Sequence, residues 1–302
     1  MTLRFPQFSA RDWVTVLLLT PALILLLAFF VAPMVLLGRV SLYAGGGQSG
    51  FGIGSGGFYT PGTWTLDAYG ALLGDRYFWE VLAFTVSLGL GTALVTVLLA
   101  YPLSLFIHKL PPWWKAIALV AVVLPKLANP LVIIYGIQLL LSNSGPINQG
   151  LLGLGLIAEP LPLFHNLFGV VAGEIFLILP YAVLVLVTAL DRIDDTLVPA
   201  AYGLGATTWA AFRRITLPLS VPGLSLAMLL SLIFALGAFE SPYLLGSPQE
   251  ITLAVDIQKQ TFENLNWPRG AAEAMMMFVT LGICIAVYSL SLRSKQSLRR
   301  LP

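Results

Sequence analysis

Apolar residues along the chain gather into six long runs separated by short polar segments, near residues 13–37, 81–107, 116–141, 167–190, 219–245 and 274–292. A helix needs about 20 such residues to cross a bilayer. Inside hydrocarbon the backbone must satisfy its own hydrogen bonds, so runs of this length predict helices. Pro33, Pro102, Pro125, Pro130, Pro180 and Pro242 fall in or near them. Each removes one N–H donor and bends the axis, which is tolerated where neighbouring helices or water satisfy the freed carbonyl. The first run follows Arg4 and Arg11. It is longer than the roughly 7–15 residues of a signal-peptide core and lacks a small-residue cleavage site, so it is expected to stay as a span.

The segments between the runs set an orientation. Arg4, Arg11, Lys109, Lys115, Arg192, Arg213, Arg214, Arg293, Lys295, Arg299 and Arg300 fall on one side, 11 basic residues in all. The other side holds Arg39, Arg76, Lys259 and Arg269, only 4, beside Asp67, Asp75, Glu80, Glu159, Glu250, Asp256 and Glu263. Basic residues are retained in the cytoplasm, so both termini are expected there. Trp13, Trp64, Trp79, Trp113, Trp114 and Trp267 lie near run ends, where indole rings anchor at the interface.

Composition agrees with lipid as the main solvent. Of 302 residues, 58% are hydrophobic and 10% charged, with a mean hydropathy of +0.88. Soluble domains carry about 25% charged residues. A net charge of +2 is too small to suggest nucleic acid. The one cysteine, Cys284, excludes an internal disulfide, and no Cys/His spacing suits a metal. The glycine-rich run at 44–57 reads as a surface loop. A phosphate-binding loop would end in Gly-Lys-Ser/Thr, which occurs nowhere. Any active transport therefore draws its energy from a partner.

The segment 194–218, between the fourth and fifth runs, carries the most specific pattern. Asp194, Asp195 or Thr196 can cap a short helix, with Pro199 in its first turn. Gly203 and Gly205 permit a sharp turn, and Thr207 or Thr208 can cap a second helix whose Trp209 and Phe212 share a face. Leu217-Pro218 then opens the next run. Two short helices with an aromatic knob and a basic end, Arg213 and Arg214, make a compact projection suited to docking another protein.

This segment resembles the EAA loop of ABC-type importer permeases, in which Glu-Ala-Ala precedes a glycine and an Ile-x-Leu-Pro ending. Ala200, Ala201, Gly205, Ile215, Leu217 and Pro218 stand at those positions, while Pro199 replaces the family glutamate. The resemblance implies an all-α type I importer fold: one transmembrane permease domain over 1–302, with the coupling loop at 191–218. It implies an ATPase dimer that docks on the loop, at Trp209, Phe212 and Arg213 among others, and holds the ATP and magnesium. An external binding protein would deliver substrate, and a second, related but non-identical permease would complete the pathway in a bacterial inner membrane. No cofactor and no covalent chemistry belong to this chain. Within the family, the loop, the stretch Leu236–Gly246 and the stretch Asn266–Ala272 resemble the spermidine/putrescine branch. That implies polyamines, with iron(III) or an organophosphonate such as 2-aminoethylphosphonate as alternatives.

Ionisable residues within the runs are the remaining clue, because hydrocarbon makes them costly unless they face a cavity or a partner. Glu174, Glu240, Glu273 and Lys126 are of this kind. Glu174 and Glu240 can line a cation pathway with Lys126 paired to one of them. Equally, the three can hold helices together, while an unpaired Lys126 would suit an anion. Asn129 is expected to satisfy backbone freed at Pro125, and His108 and His165 to be solvated. A secondary transporter would need matching broken segments in two halves, and no internal repeat is evident. An intramembrane enzyme would need a nucleophile–base pair or a metal cluster, and none stands out.

Overall fold

The computed structural model describes residues 10–45 and 59–298. Most of the glycine-rich run at 44–57, together with Arg4, Arg299 and Arg300, lies outside the described residues. Among the described residues, six helices are long and apolar enough to cross a membrane: Leu17–Val40, Arg76–His108, Pro130–Gly153, Leu167–Leu190, Thr208–Leu236 and Trp267–Leu290. Among the same residues the fold is all-α apart from one small hairpin, Tyr43–Gly45 paired antiparallel with Tyr59–Trp64.

The backbone divides into two compact units, residues 75–256 with 277–302, and residues 1–74 with 257–276. The larger unit is organised around the second, fourth and fifth spans. Val97, Ala100 and Ile107 of the second pack with Ala182, Val183, Leu186 and Val187 of the fourth and Ala227 of the fifth. Lipid offers apolar groups the same environment as the core, so close packing rather than water expulsion must join these helices. The sequence supplies small residues where they meet. A side chain at Gly223 would collide with the Cβ of Ala189, so the fourth and fifth helices touch almost backbone to backbone. Hydroxyls bridge what remains: Tyr101 and Ser220 share a hydrogen bond of 2.8 Å between the second and fifth spans.

Two predicted runs are broken. The third consists of a helix Pro112–Val123, a 3₁₀ turn Leu124–Leu127 and a helix Pro130–Leu141. Pro125 and Pro130 withdraw two donors, and residues before proline avoid the helical region, so the chain is extended at Ala128 and Asn129. Asn129 does not serve carbonyls freed at Pro125. Its Oδ1 accepts from the N–H of Leu131 at 2.9 Å and caps the new helix. The fifth helix ends at Leu236, and a separate helix, Glu240–Leu245, begins after Gly237. The freed carbonyl of Ala238 accepts from Thr252 Oγ1 at 2.9 Å, and the N–H of Leu253 donates to Thr85 Oγ1 at 2.8 Å. Groups at both breaks thus find partners within the protein.

In the smaller unit, no residue of the first span from Leu17 onward is buried. Ser41, just beyond it, donates to the Gly38 carbonyl at 2.7 Å and bonds Tyr69 of the helix Asp67–Gly74 at 2.8 Å. Tyr43 stacks on Tyr59 with ring centroids 5.5 Å apart and meets Trp64 edge-on, and Tyr59 leans on Trp267. Glu273, fully buried, accepts from Arg269 one helical turn earlier at 3.1 Å.

Candidate functional site

The loop after the fourth span folds into the two short helices its residues allow, Leu197–Gly203 and Thr208–Ala211. Asp194 Oδ1 accepts from both the N–H and the hydroxyl of Thr196 at the first entrance. Gly205 ends the first helix at φ +83°, the left-handed conformation that glycine adopts without steric cost. Its N–H reaches the Tyr202 carbonyl at 2.9 Å, and Ala206 N–H the Ala201 carbonyl at 3.0 Å, closing both orphan acceptors. Thr207 Oγ1 accepts from Ala210 N–H at 3.2 Å and caps the second helix.

Trp209 and Phe212 then stack with centroids 5.5 Å apart, and Phe212 leans on Tyr101 at 6.3 Å. Because Tyr101 bonds Ser220, an aromatic column runs from the exposed Trp209 to the second and fifth spans. Ala200, Arg213 and Arg214 are exposed; Ala201, Ile215, Leu217 and Pro218 are half-buried. The backbone widens into a π turn at Phe212–Thr216 immediately before Pro218, which enters the fifth helix in its first turn. A wider turn relieves the clash between a proline ring and the carbonyl four residues earlier.

Beside this loop, Asp191 joins two connections. Its carboxylate accepts from Lys115 at 2.5 and 2.6 Å and meets His108 Nδ1 at 2.7 Å. Partial burial pushes the carboxyl upward, but Lys115 and His108 outweigh it and hold Asp191 below its ordinary value. His108 is therefore not simply solvated. His165 also has partners, with its ring against Phe164 and Nδ1 3.3 Å from the Gly246 carbonyl.

The intramembrane charges come together at the two helix breaks. Lys126 sits on the 3₁₀ turn, Glu240 opens the helix after Gly237, and Glu174 lies on the intact fourth span. The three are close enough to act on one another's charge. Lys126 Nζ stands 4.9 Å from the centre of the Tyr181 ring, a cation–π contact. Tyr181 in turn stacks on Phe234, 4.8 Å away and within 7° of parallel. Glu174 is 3% exposed, and its Oε1 has no hydrogen-bond partner among the described residues. Asn129, the fourth pathway candidate, is exposed and spends its side chain on the helix cap. No group of three or more His, Cys, Asp or Glu among the described residues is placed to hold a metal.

Comparison with known proteins fits this geometry. Residues 5–300 match the family of binding-protein-dependent transport system inner membrane components. The spermidine/putrescine transport system permease protein PotB of Escherichia coli (strain K12) is 33% identical over 74% of this chain and 81% of its own length. The trehalose transport system permease protein SugA of Mycobacterium tuberculosis is 26% identical over 74% and 71%. A crystal structure of a bacterial ABC transporter that imports the acidic polysaccharide alginate superposes with a TM-score of 0.74. It covers 94% of this chain and 96% of its own at 20% identity. The chain belongs to the ABC-importer permease family.

This permease is thus a non-catalytic, multi-pass inner-membrane subunit that forms a translocation pathway. Family and fold imply the general assembly of ATPase, permease pair and binding protein. Sequence reasoning missed Tyr181, which follows Pro180 in an otherwise apolar run and carries no spacing signal. It also missed the Asp191 clamp, whose partners are 76 and 83 residues away in the chain.

Proposed function

We propose that the permease imports polyamines of the spermidine/putrescine type, which pass Glu174 and Glu240. The carrying observation is a pair of carboxylates at membrane depth, one of them buried with an unsatisfied oxygen, in a chain 33% identical to spermidine/putrescine permeases. A carboxylate in hydrocarbon is costly unless a cation visits it. Lys126 does not favour the anionic alternative, because it lies over an aromatic face with two carboxylates in reach. Both termini lie in the cytoplasm in this reading. The loop at 191–218 receives the ATPase through Trp209, Phe212 and Arg213, with Ala200, Ala201, Gly205, Ile215, Leu217 and Pro218 shaping it. A non-identical permease completes the pathway.

The test is ATP-driven uptake into vesicles that contain the whole transporter and its binding protein. Spermidine and putrescine are compared with iron(III) and 2-aminoethylphosphonate. Polyamine uptake that falls in Glu240→Gln supports the reading. Uptake of iron or the phosphonate alone overturns it.

A further inference from the structure

We propose that Lys126 is a resident stand-in for the substrate's ammonium group: it fills a seat made by Tyr181, Glu174 and Glu240, and an incoming primary amine displaces it. The inference deepens the polyamine reading and rests on it. The lysine side chain is itself a primary alkylammonium, chemically the same as one end of a diamine. Its Nζ lies 4.9 Å from the Tyr181 ring centre, so the structure already displays this ligand class in this place. Stacking on Phe234 fixes the plane of the Tyr181 ring and gives the seat a rigid floor. An ammonium over an aromatic face is a recurring arrangement for amine recognition.

The seat is underfilled with Lys126 in it. Glu174 Oε1 is buried without a hydrogen-bond partner among the described residues, although an ammonium carries three donors. A free amine, not tied to the backbone, is not held to the one position that Lys126 Nζ takes over the ring. Lys126 is also placed to leave. It sits on a 3₁₀ turn between Pro125 and an extended Ala128, so its withdrawal rewinds no helix. Its side chain is half-buried rather than enclosed.

Charge balance gives the arrangement its purpose. An empty seat would leave any negative charge on Glu174 or Glu240 without a nearby cation, which is costly at membrane depth. Exchange of one ammonium for another leaves a cation over the Tyr181 ring before and after. Selectivity follows as well, since neither a neutral sugar nor an anion replaces Lys126 on equal electrostatic terms.

The proposal predicts competition. If Lys126 occupies the seat about nine-tenths of the time, polyamine affinity is reduced about tenfold relative to a vacant seat. The permease pair with its ATPase, without binding protein or nucleotide, is reconstituted in nanodiscs and titrated with radiolabelled spermidine. Lys126→Met should lower the half-saturating concentration about tenfold. Lys126→Arg, which keeps a cation, should bind as the parent does. Tyr181→Phe should be unchanged, whereas Tyr181→Leu should weaken binding in both the parent and Lys126→Met backgrounds. Assembly of each variant is checked by size-exclusion chromatography. Equal or weaker spermidine binding by an assembled Lys126→Met complex would overturn the proposal while ATP-driven polyamine uptake by the parent still stood. Phosphonate or iron uptake without polyamine uptake by the parent would instead remove the reading beneath it.

Discussion

Replacing Gly205 isolates the contribution of one backbone conformation to the 191–218 loop. At φ +83° the residue is left-handed, and a Cβ built there meets nothing within 4 Å. Steric collision with neighbours therefore drops out, and the whole penalty is conformational. Forcing an alanine into this region costs roughly 1–2 kcal/mol. A β-branched valine exceeds that, and asparagine, which tolerates the left-handed region, falls below it. An energy of 1.4 kcal/mol corresponds to about a tenfold change in population, so Gly205→Ala should deplete the closed turn by about 5- to 30-fold. The two bonds at stake are Gly205 to Tyr202 and Ala206 to Ala201. Gly205 is exposed and lies outside the core of the second, fourth and fifth spans, so permease abundance should stay near normal. The assay pairs co-purification of the ATPase with ATP-dependent uptake. Both should fall in the order asparagine, alanine, valine. Valine performing as well as glycine, or asparagine as badly as valine, would refute the argument.

Asp191→Asn should loosen the clamp to Lys115 and His108, with a thermal shift worth less than about 1 kcal/mol because the carboxylate is 38% exposed and screened. The Asp191 carboxyl is depressed in the folded state, so its stabilisation is present above the ordinary carboxylate value and lost as pH falls through the lower folded one. A melting series in which parent and variant diverged more as the pH fell, rather than less, would refute this. Orientation is checked with single cysteines at Leu204, 90% exposed in the loop, and Leu156, 68% exposed after the third span. An impermeant thiol reagent added to intact cells should label the cysteine at 156 only, and the reverse pattern would invert the topology.

Sequence alone carried the six spans, because hydrocarbon leaves a helix as the only way to satisfy an isolated crossing backbone. It also carried the loop, where a glycine, a threonine cap and a Leu-Pro helix start each act within a few residues of themselves. The breaks were harder. Pro125 and Pro130 signalled a bend in the third run but not its division, and nothing in 236–240 except Gly237 marked the end of the fifth helix. The Lys126–Tyr181 contact was out of reach, since hydrophobic pattern reports which residues meet lipid and not which helix faces another. Asp191 was similarly hidden, as charge counting places a residue on a side without naming its neighbours.

The near contact of Gly223 with Ala189 has a mechanical side. These residues lie close to the two helix ends from which the loop at 191–216 is suspended. With only the Ala189 methyl between them, the two ends sit in close contact there. The loop is mounted like a handle on a double strut, and Phe212 against Tyr101 adds the second span as a brace. A bulkier residue at 223 would force the fourth and fifth helices apart at the point from which the loop hangs.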